Sequence, residues 1–170
     1  WQIVPEFAAT RAKLADLVIA YEDPARLGVD RWLAMLAAYR EYGGPVCVID
    51  VGSAVTVDLL DAVGLHKGGY IVPGIALQQR VLVNETGRIQ MGSSGVDVAQ
   101  PIIWGKSSEE CISFGIRRMV TAFLESVLQE LRESSSKMTV CVAGGGASLV
   151  PSGGWNGLSV IEKPDLVLDG

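Results

Sequence analysis

Two short stretches hold carboxylates where carboxylates can do chemistry. LGVDRW, residues 27–32, sets Asp30 beside Arg31 behind a glycine, and IDVGSAVTVD, residues 49–58, sets Asp50 and Asp58 at either end of a run of small and β-branched residues. Aspartate is a preferred helix cap, so Asp30 reads first as the opening of a helix. It also reads as a general base, with Arg31 holding an anionic group of a substrate. The two roles are compatible, because a capping position presents its carboxylate at a cleft edge. Asp50 follows the apolar run VCVI, and a carboxylate at that depth is costly unless it is paired or binds a cation. Gly52 allows close approach of backbone to a ligand, and amides with small hydroxyls at Gly52–Ser53 suit phosphate oxygens. An ordinary β-turn with local Asp and Ser hydrogen bonds explains the same letters.

Three further stretches belong with these. AGGGAS, residues 143–148, is a second strand running into glycines; it admits a nucleoside against bare backbone or serves as a flexible turn. GGYIVPG, residues 68–74, is either a pair of tight turns or a smooth wall for a small substrate. In WGKSS, residues 104–108, Ser108 presents a hydroxyl and an amide at a helix N-terminus, which suits a carboxylate. His66 is the only histidine in the chain, which excludes a multi-histidine metal site within one chain. It is expected in a turn, at the surface.

These residues must be held by something. With 170 residues, 49% hydrophobic and 19% charged, the chain has the makings of a well-buried core. A net charge of −5, with no lysine or arginine run, excludes the electrostatic footprint of a nucleic-acid binder. No apolar stretch is long enough for a membrane span, and nothing resembles a signal peptide. Cys47, Cys111 and Cys141 are odd in number and far apart, which suits a reducing, cytoplasmic setting. The chain opens on WQIVP and stops at DLVLDG, so it is expected to be a piece of a longer protein.

Along the chain, residues 1–4 read as the end of a strand and 9–20 mix helical and extended signals. Asp23–Pro24 is a cap followed by a first turn, and a helix from Asp30 carries Trp32, Leu33, Leu36 and Ala37. Gly43–Gly44–Pro45 closes it as a hinge or boundary. Three extended segments follow as a meander, with Ala62–Gly64 and His66–Gly69 as turns, and IALQQRVLVNET has helical spacing. Residues 88–105 read as a polar loop, expected to be mobile. An amphipathic helix over 108–131 carries Ile112, Ile116, Met119, Val120, Phe123, Leu124, Val127, Leu128 and Leu131, behind a Ser107–Glu110 capping box. MTVCVAGGG is a strand, and LSVIEKPDLVLDG is expected to supply the last extended pieces. Interleaved helices and strands indicate an α/β domain.

Six ordered stretches, Y-x-x-P-x-x-LGVDRW, IDVGSAVTVD, GGYIVPG, KSSEECISFGI, VAGGG and PDLVLDG, resemble the type III pantothenate kinases, the family that includes the Bvg accessory factor proteins. The resemblance covers about the whole chain. It implies the ribonuclease-H-like fold of the actin, sugar kinase and Hsc70 superfamily. Residues 1–44 would then be the C-terminal part of a first such domain, with the substrate loop, and 45–170 the second. It implies ATP-dependent phosphorylation of pantothenate, with Asp30 as the base toward its hydroxyl. Tyr21, Gly28, Val29, Arg31 and Ser108 would contact pantothenate, and Gly52 and Ser53 would contact ATP. Asp50 would bind a monovalent cation, K+ or NH4+, with Mg2+ on the phosphates. A homodimer is implied, with the 108–131 helix as a candidate contributor. Asp58 is expected to have a structural or supporting role. Two features depart from the pattern: the family's D-x-G-N-[ST] phosphate motif has no counterpart, and Ile19–Ala20 stand where the family often has N-G. These departures support a second reading, a non-catalytic accessory or regulatory protein of the same fold. A kinase of the same superfamily acting on another small hydroxy acid is a third.

Overall fold

The computed structural model describes residues 7–86, 102–134, 137–151, 153 and 155–170. A five-stranded sheet organises them: β3 (Val46–Val51), β4 (Ala54–Leu60), β5 (His66–Pro73), β6 (Met138–Ala143) and β7 (Leu158–Glu162), in spatial order β5-β4-β3-β6-β7. The β3–β4 and β4–β5 pairs are antiparallel; β3–β6 and β6–β7 are parallel. A three-strand meander extended by two parallel strands on the side of its first strand is the sheet of a ribonuclease-H-like domain, as expected. Ahead of it, β1 (Lys13–Leu14) and β2 (Leu17–Val18) form a two-residue antiparallel ladder, which resolves the mixed signals of residues 9–20.

Strand alternation gives the sheet two different faces. Cys47, Ile49, Val51, Val55, Val57, Val140 and Val142 point to one side, where α3 (Ser108–Ser134) buries Ile116, Val120, Leu124, Val127, Leu128 and Leu131 against them. At about 1.5 Å per residue this 27-residue helix is about 40 Å long and crosses the whole sheet. Met119, placed on the apolar stripe by spacing, is 56% exposed and lies off that core. Leu124 is fully buried there. Leu124→Ala is therefore expected to cost about 2–5 kcal/mol of unfolding free energy, read from a urea midpoint. An unchanged midpoint would show that this face is not the core.

On the other side, Val46, Val48, Leu60, Cys141 and Ala143 pack against Trp32, Met35, Leu36 and Ala38 of α1 (Val29–Tyr42). Gly43, with φ of 67°, ends that helix, and the Gly44–Pro45 peptide is cis. The closing segment differs from the extended piece expected at PDLVLDG. It forms one helical turn, α4 (Leu166–Asp169), with Leu166 fully buried against α1. The meander also runs longer than its turn residues suggest, because His66–Gly69 are part of β5. Helix α2 (Ile75–Thr86) follows as spaced. Residues 1–4 and most of 88–105 lie outside the described residues. No described helix is long and apolar enough to cross a membrane.

All three cysteines are free, with Cys47 and Cys141 buried and Cys111 exposed. Burial pushes the Cys47 thiol upward and the Cys141 thiol up to about 11, so neither is a ready nucleophile.

Candidate active site

The parallel strands β3 and β6 end side by side, with Asp50 opposite Ala143. Ligands of open α/β sheets bind beyond such carboxyl ends. After β3 the chain turns through Gly52 and Ser53, both exposed, with the Gly52 N–H donating to the Ala54 carbonyl at 2.9 Å. After β6 it turns through Gly144–Gly146, and the Gly146 N–H donates to the Val51 carbonyl at 2.9 Å. The two glycine junctions, more than ninety residues apart in sequence, thus form one floor. Gly144 has φ of +85°, and a Cβ there would collide with Asp50 Oδ1 and the Val51 carbonyl. Only glycine meets both requirements.

Asp50 and Asp58 occupy the face of the sheet that carries Val46, Val48 and Leu60, the face covered by α1. Antiparallel pairing sets Val48 opposite Asp58 and Asp50 opposite Thr56. Asp50 is half-buried, and among the described residues no hydrogen bond reaches its carboxylate. Burial, and then the charge of Asp30, push its carboxyl above the usual carboxylate range. Asp30 lies in the first turn of α1, exposed, with Oδ1 accepting the Arg31 N–H at 2.9 Å. The helix N-cap is Gly28 instead of Asp30, which corrects the capping reading. A Cβ on Gly28 would lie 2.5 Å from Asp30 Oδ1, so that glycine leaves the carboxylate its place. Val29, the first residue of the helix, is exposed.

Arg31 is buried against the sheet. Its Nε and Nη2 donate to Asp58 Oδ2 and Oδ1 at 2.8 and 2.6 Å, a bidentate pair. Its Nη1 donates to the Tyr21 hydroxyl at 3.0 Å. Burial alone would lower the guanidinium pKa, but the hydrogen bond and charge of Asp58, with Tyr21, outweigh it, and Arg31 stays charged. His66 corrects its expected place at the surface: it is 1% exposed, with Nε2 3.0 Å from Asp58 Oδ1. Gly69 belongs to the same group, because a Cβ there would strike the Val57 carbonyl and lie 2.7 Å from Asp58 Oδ1. That glycine lets β5 close over the ion pair.

Ser108 is exposed at the start of α3, without a hydrogen bond to these side chains. The capping box beside it is partly formed: Ser107 Oγ accepts the Glu110 N–H at 3.2 Å, while the Glu110 carboxylate takes the Lys106 N–H at 2.7 Å.

The structure therefore gathers Tyr21, Gly28, Asp30, Arg31, Asp50, Gly52 and Ser53 around one end of β3 and the N-terminus of α1. The donor set suits a hard cation at Asp50: a half-buried carboxylate without a hydrogen-bond partner, next to a second carboxylate. Among the described residues no group of three or more His, Cys, Asp and Glu side chains could hold a metal, so backbone, water or ligand oxygens would complete its shell.

A sequence profile described as type III pantothenate kinase matches residues 1–130. The chain is 45% identical to the type III pantothenate kinase of Hahella chejuensis, over 96% of the chain and 65% of that protein. To the type III pantothenate kinase of Alcanivorax borkumensis it is 35% identical, over 88% and 59%. To that of Nitrosococcus oceani it is 31% identical, over 100% and 64%. The chain thus spans somewhat less than two thirds of the length of these relatives. A Baf-family protein from Campylobacter jejuni has a similar fold, with a TM-score of 0.54 at 22% identity over 88% of this chain and 62% of that one. With the matched profile covering residues 1–130 and these identities spanning most of the chain, it belongs to the type III pantothenate kinase family.

Proposed function

We propose that the protein containing this chain transfers the γ-phosphoryl group of ATP to the 4′-hydroxyl of pantothenate, the first step of coenzyme A biosynthesis. The observation that carries this reading is the meeting of Asp30 and Asp50 where the two glycine junctions lie together. Phosphoryl transfer asks a protein mainly for alignment and charge neutralisation. Asp30, exposed and rigidly based on a helix, is placed to accept the hydroxyl proton. Arg31, kept charged, retains N–H groups for an anionic part of the substrate, with Tyr21 beside it. Gly28, Val29 and Ser108 complete the pantothenate contacts, and Gly52 and Ser53 meet ATP. Asp50 would hold a monovalent cation, K+ or NH4+. Mg2+ would travel with the nucleotide and supply charge neutralisation on its phosphates.

Residues 1–44 are proposed as the end of a first ribonuclease-H-like unit and 45–170 as the second. The family relation supports a homodimer in the cytoplasm, and the apolar groove between α2 and α3, lined by Leu77, Val81, Leu82, Ile112 and Met119, supports a second copy as its occupant. The test of the activity is ADP formation by the complete reading frame. Release that depends on added pantothenate is expected. Release indifferent to pantothenate, but dependent on another small hydroxy acid, would reassign the substrate.

A further inference from the structure

Asp58 is 1% exposed on a central strand and meets three nitrogens: Arg31 Nε at 2.8 Å, Arg31 Nη2 at 2.6 Å and His66 Nε2 at 3.0 Å. The other ring nitrogen of His66, Nδ1, accepts the Ala20 N–H at 3.5 Å. Both contacts are satisfied together by the tautomer with its hydrogen on Nε2, directed at Asp58, and Nδ1 left to accept. Tyr21, next along from Ala20, stacks on the His66 ring at 6.1 Å between centroids and 15° between planes. Its hydroxyl accepts from Arg31 Nη1 at 3.0 Å, and its ring lies 5.9 Å from the guanidinium carbon. The contacts close on themselves: segment 20–21 to His66, His66 to Asp58, Asp58 to Arg31, Arg31 back to Tyr21.

We propose that Asp58 and His66 are positioning residues, which hold Arg31 and the first turn of α1 so that Arg31 and Asp30 meet the phosphoryl acceptor in one fixed geometry. This rests on the reading of Asp30 and Arg31 given above. A guanidinium has five N–H donors, and the contacts named use three of them. One N–H on each Nη remains, so Arg31 is oriented without being used up. Asp58 cancels its charge and fixes its plane, which a single hydrogen bond cannot do. His66 satisfies the carboxylate position that Arg31 leaves open, and a buried carboxylate short of a donor is costly. Through Nδ1 it also ties down the segment that carries Tyr21. Removing the imidazole thus loosens both sides of Arg31 at once.

The test uses the complete enzyme and compares two replacements of one side chain. His66→Leu fills the space without polar contact and is expected to lower kcat/KM for pantothenate by on the order of 10–10², with the KM for ATP unmoved. His66→Gln keeps an N–H aimed at Asp58 and is expected to recover most of that loss. Asp58→Asn carries the same expectation as His66→Leu; where it does not fold, the His66 pair decides alone. In 15N spectra of labelled histidine, the neutral ring should carry its hydrogen on Nε2 and leave Nδ1 bare, with the signals assigned by their loss in His66→Gln. A wild-type kcat/KM for pantothenate in His66→Leu, an equal loss in both His66 variants, or a neutral ring with its hydrogen on Nδ1 would each overturn the proposal. Should Asp30→Asn run at the wild-type rate, it is the choice of base that fails, and the histidine spectrum still reports on the Asp58 contact.

Discussion

Under the proposed reaction, Asp30→Asn in the complete protein is expected to lower kcat by on the order of 10²–10⁴, the range of a general acid–base residue. The substitution keeps size and one acceptor oxygen, so the Arg31 N–H bond at 2.9 Å can persist and the helix start should hold. What is lost is a carboxylate able to take a proton. KM for pantothenate should therefore move far less than kcat, since Arg31 and Tyr21 are untouched. Single-turnover measurement of ADP formation reads the chemical step directly. A kcat within threefold of wild type would remove Asp30 as the base.

The second large effect concerns Asp50 and runs in opposite directions for activity and stability. Its folded pKa is raised, by burial first and by Asp30 second. In the interval between the unfolded and folded values the native state binds more protons than the unfolded chain. Stability therefore falls as pH rises through that interval, and above it the cost of the buried charge is present in full. Asp50→Asn removes the cost and should raise Tm at neutral pH without added cations, while the advantage disappears at acid pH. Turnover should drop by on the order of 10²–10³, as for loss of one preorganised electrostatic group. K+ or NH4+ should raise the wild-type Tm more at neutral pH than at acid pH, and leave the variant unmoved. A neutral-pH Tm below wild type in cation-free buffer would show that Asp50 is satisfied without a cation.

How much of this was visible in the letters depends on distance along the chain. The meander β3–β4–β5 and helix α3 were legible because alternation and three-to-four-residue spacing are local properties of contiguous residues. The position of β6 between β3 and β7 was not, since it is set by a crossover through α2 and α3. For the same reason AGGGAS read only as a second strand running into glycines, whereas pairing makes the two junctions one floor. The nearby Lys67–Gly69 made His66 look like turn material, but β5 continues through the glycines because Gly69 must clear the Val57 carbonyl. DLVLDG has strand-like composition, yet Leu166 finds its burial against α1 as a helical turn. The signal that would have exposed Asp58 was present: it shares the buried face of β4 with Leu60, where a charge demands a partner. Its partner stands 27 residues away, and only the fold shows that Arg31 is the one.

The helix whose first turn carries Asp30 goes on to lay Trp32, Met35, Leu36 and Ala38 into the interior, all at most 4% exposed. Such a helix behaves as a lever with its short arm at the candidate site and its long arm clamped. A bulkier side chain at Ala38, about two turns along from Asp30, would tilt the arm and move the Asp30 carboxylate with it. Changes of substrate preference are therefore easier to select in the surface turns that face the helix tip than along the helix itself, where adjusting the chemistry also disturbs the interior.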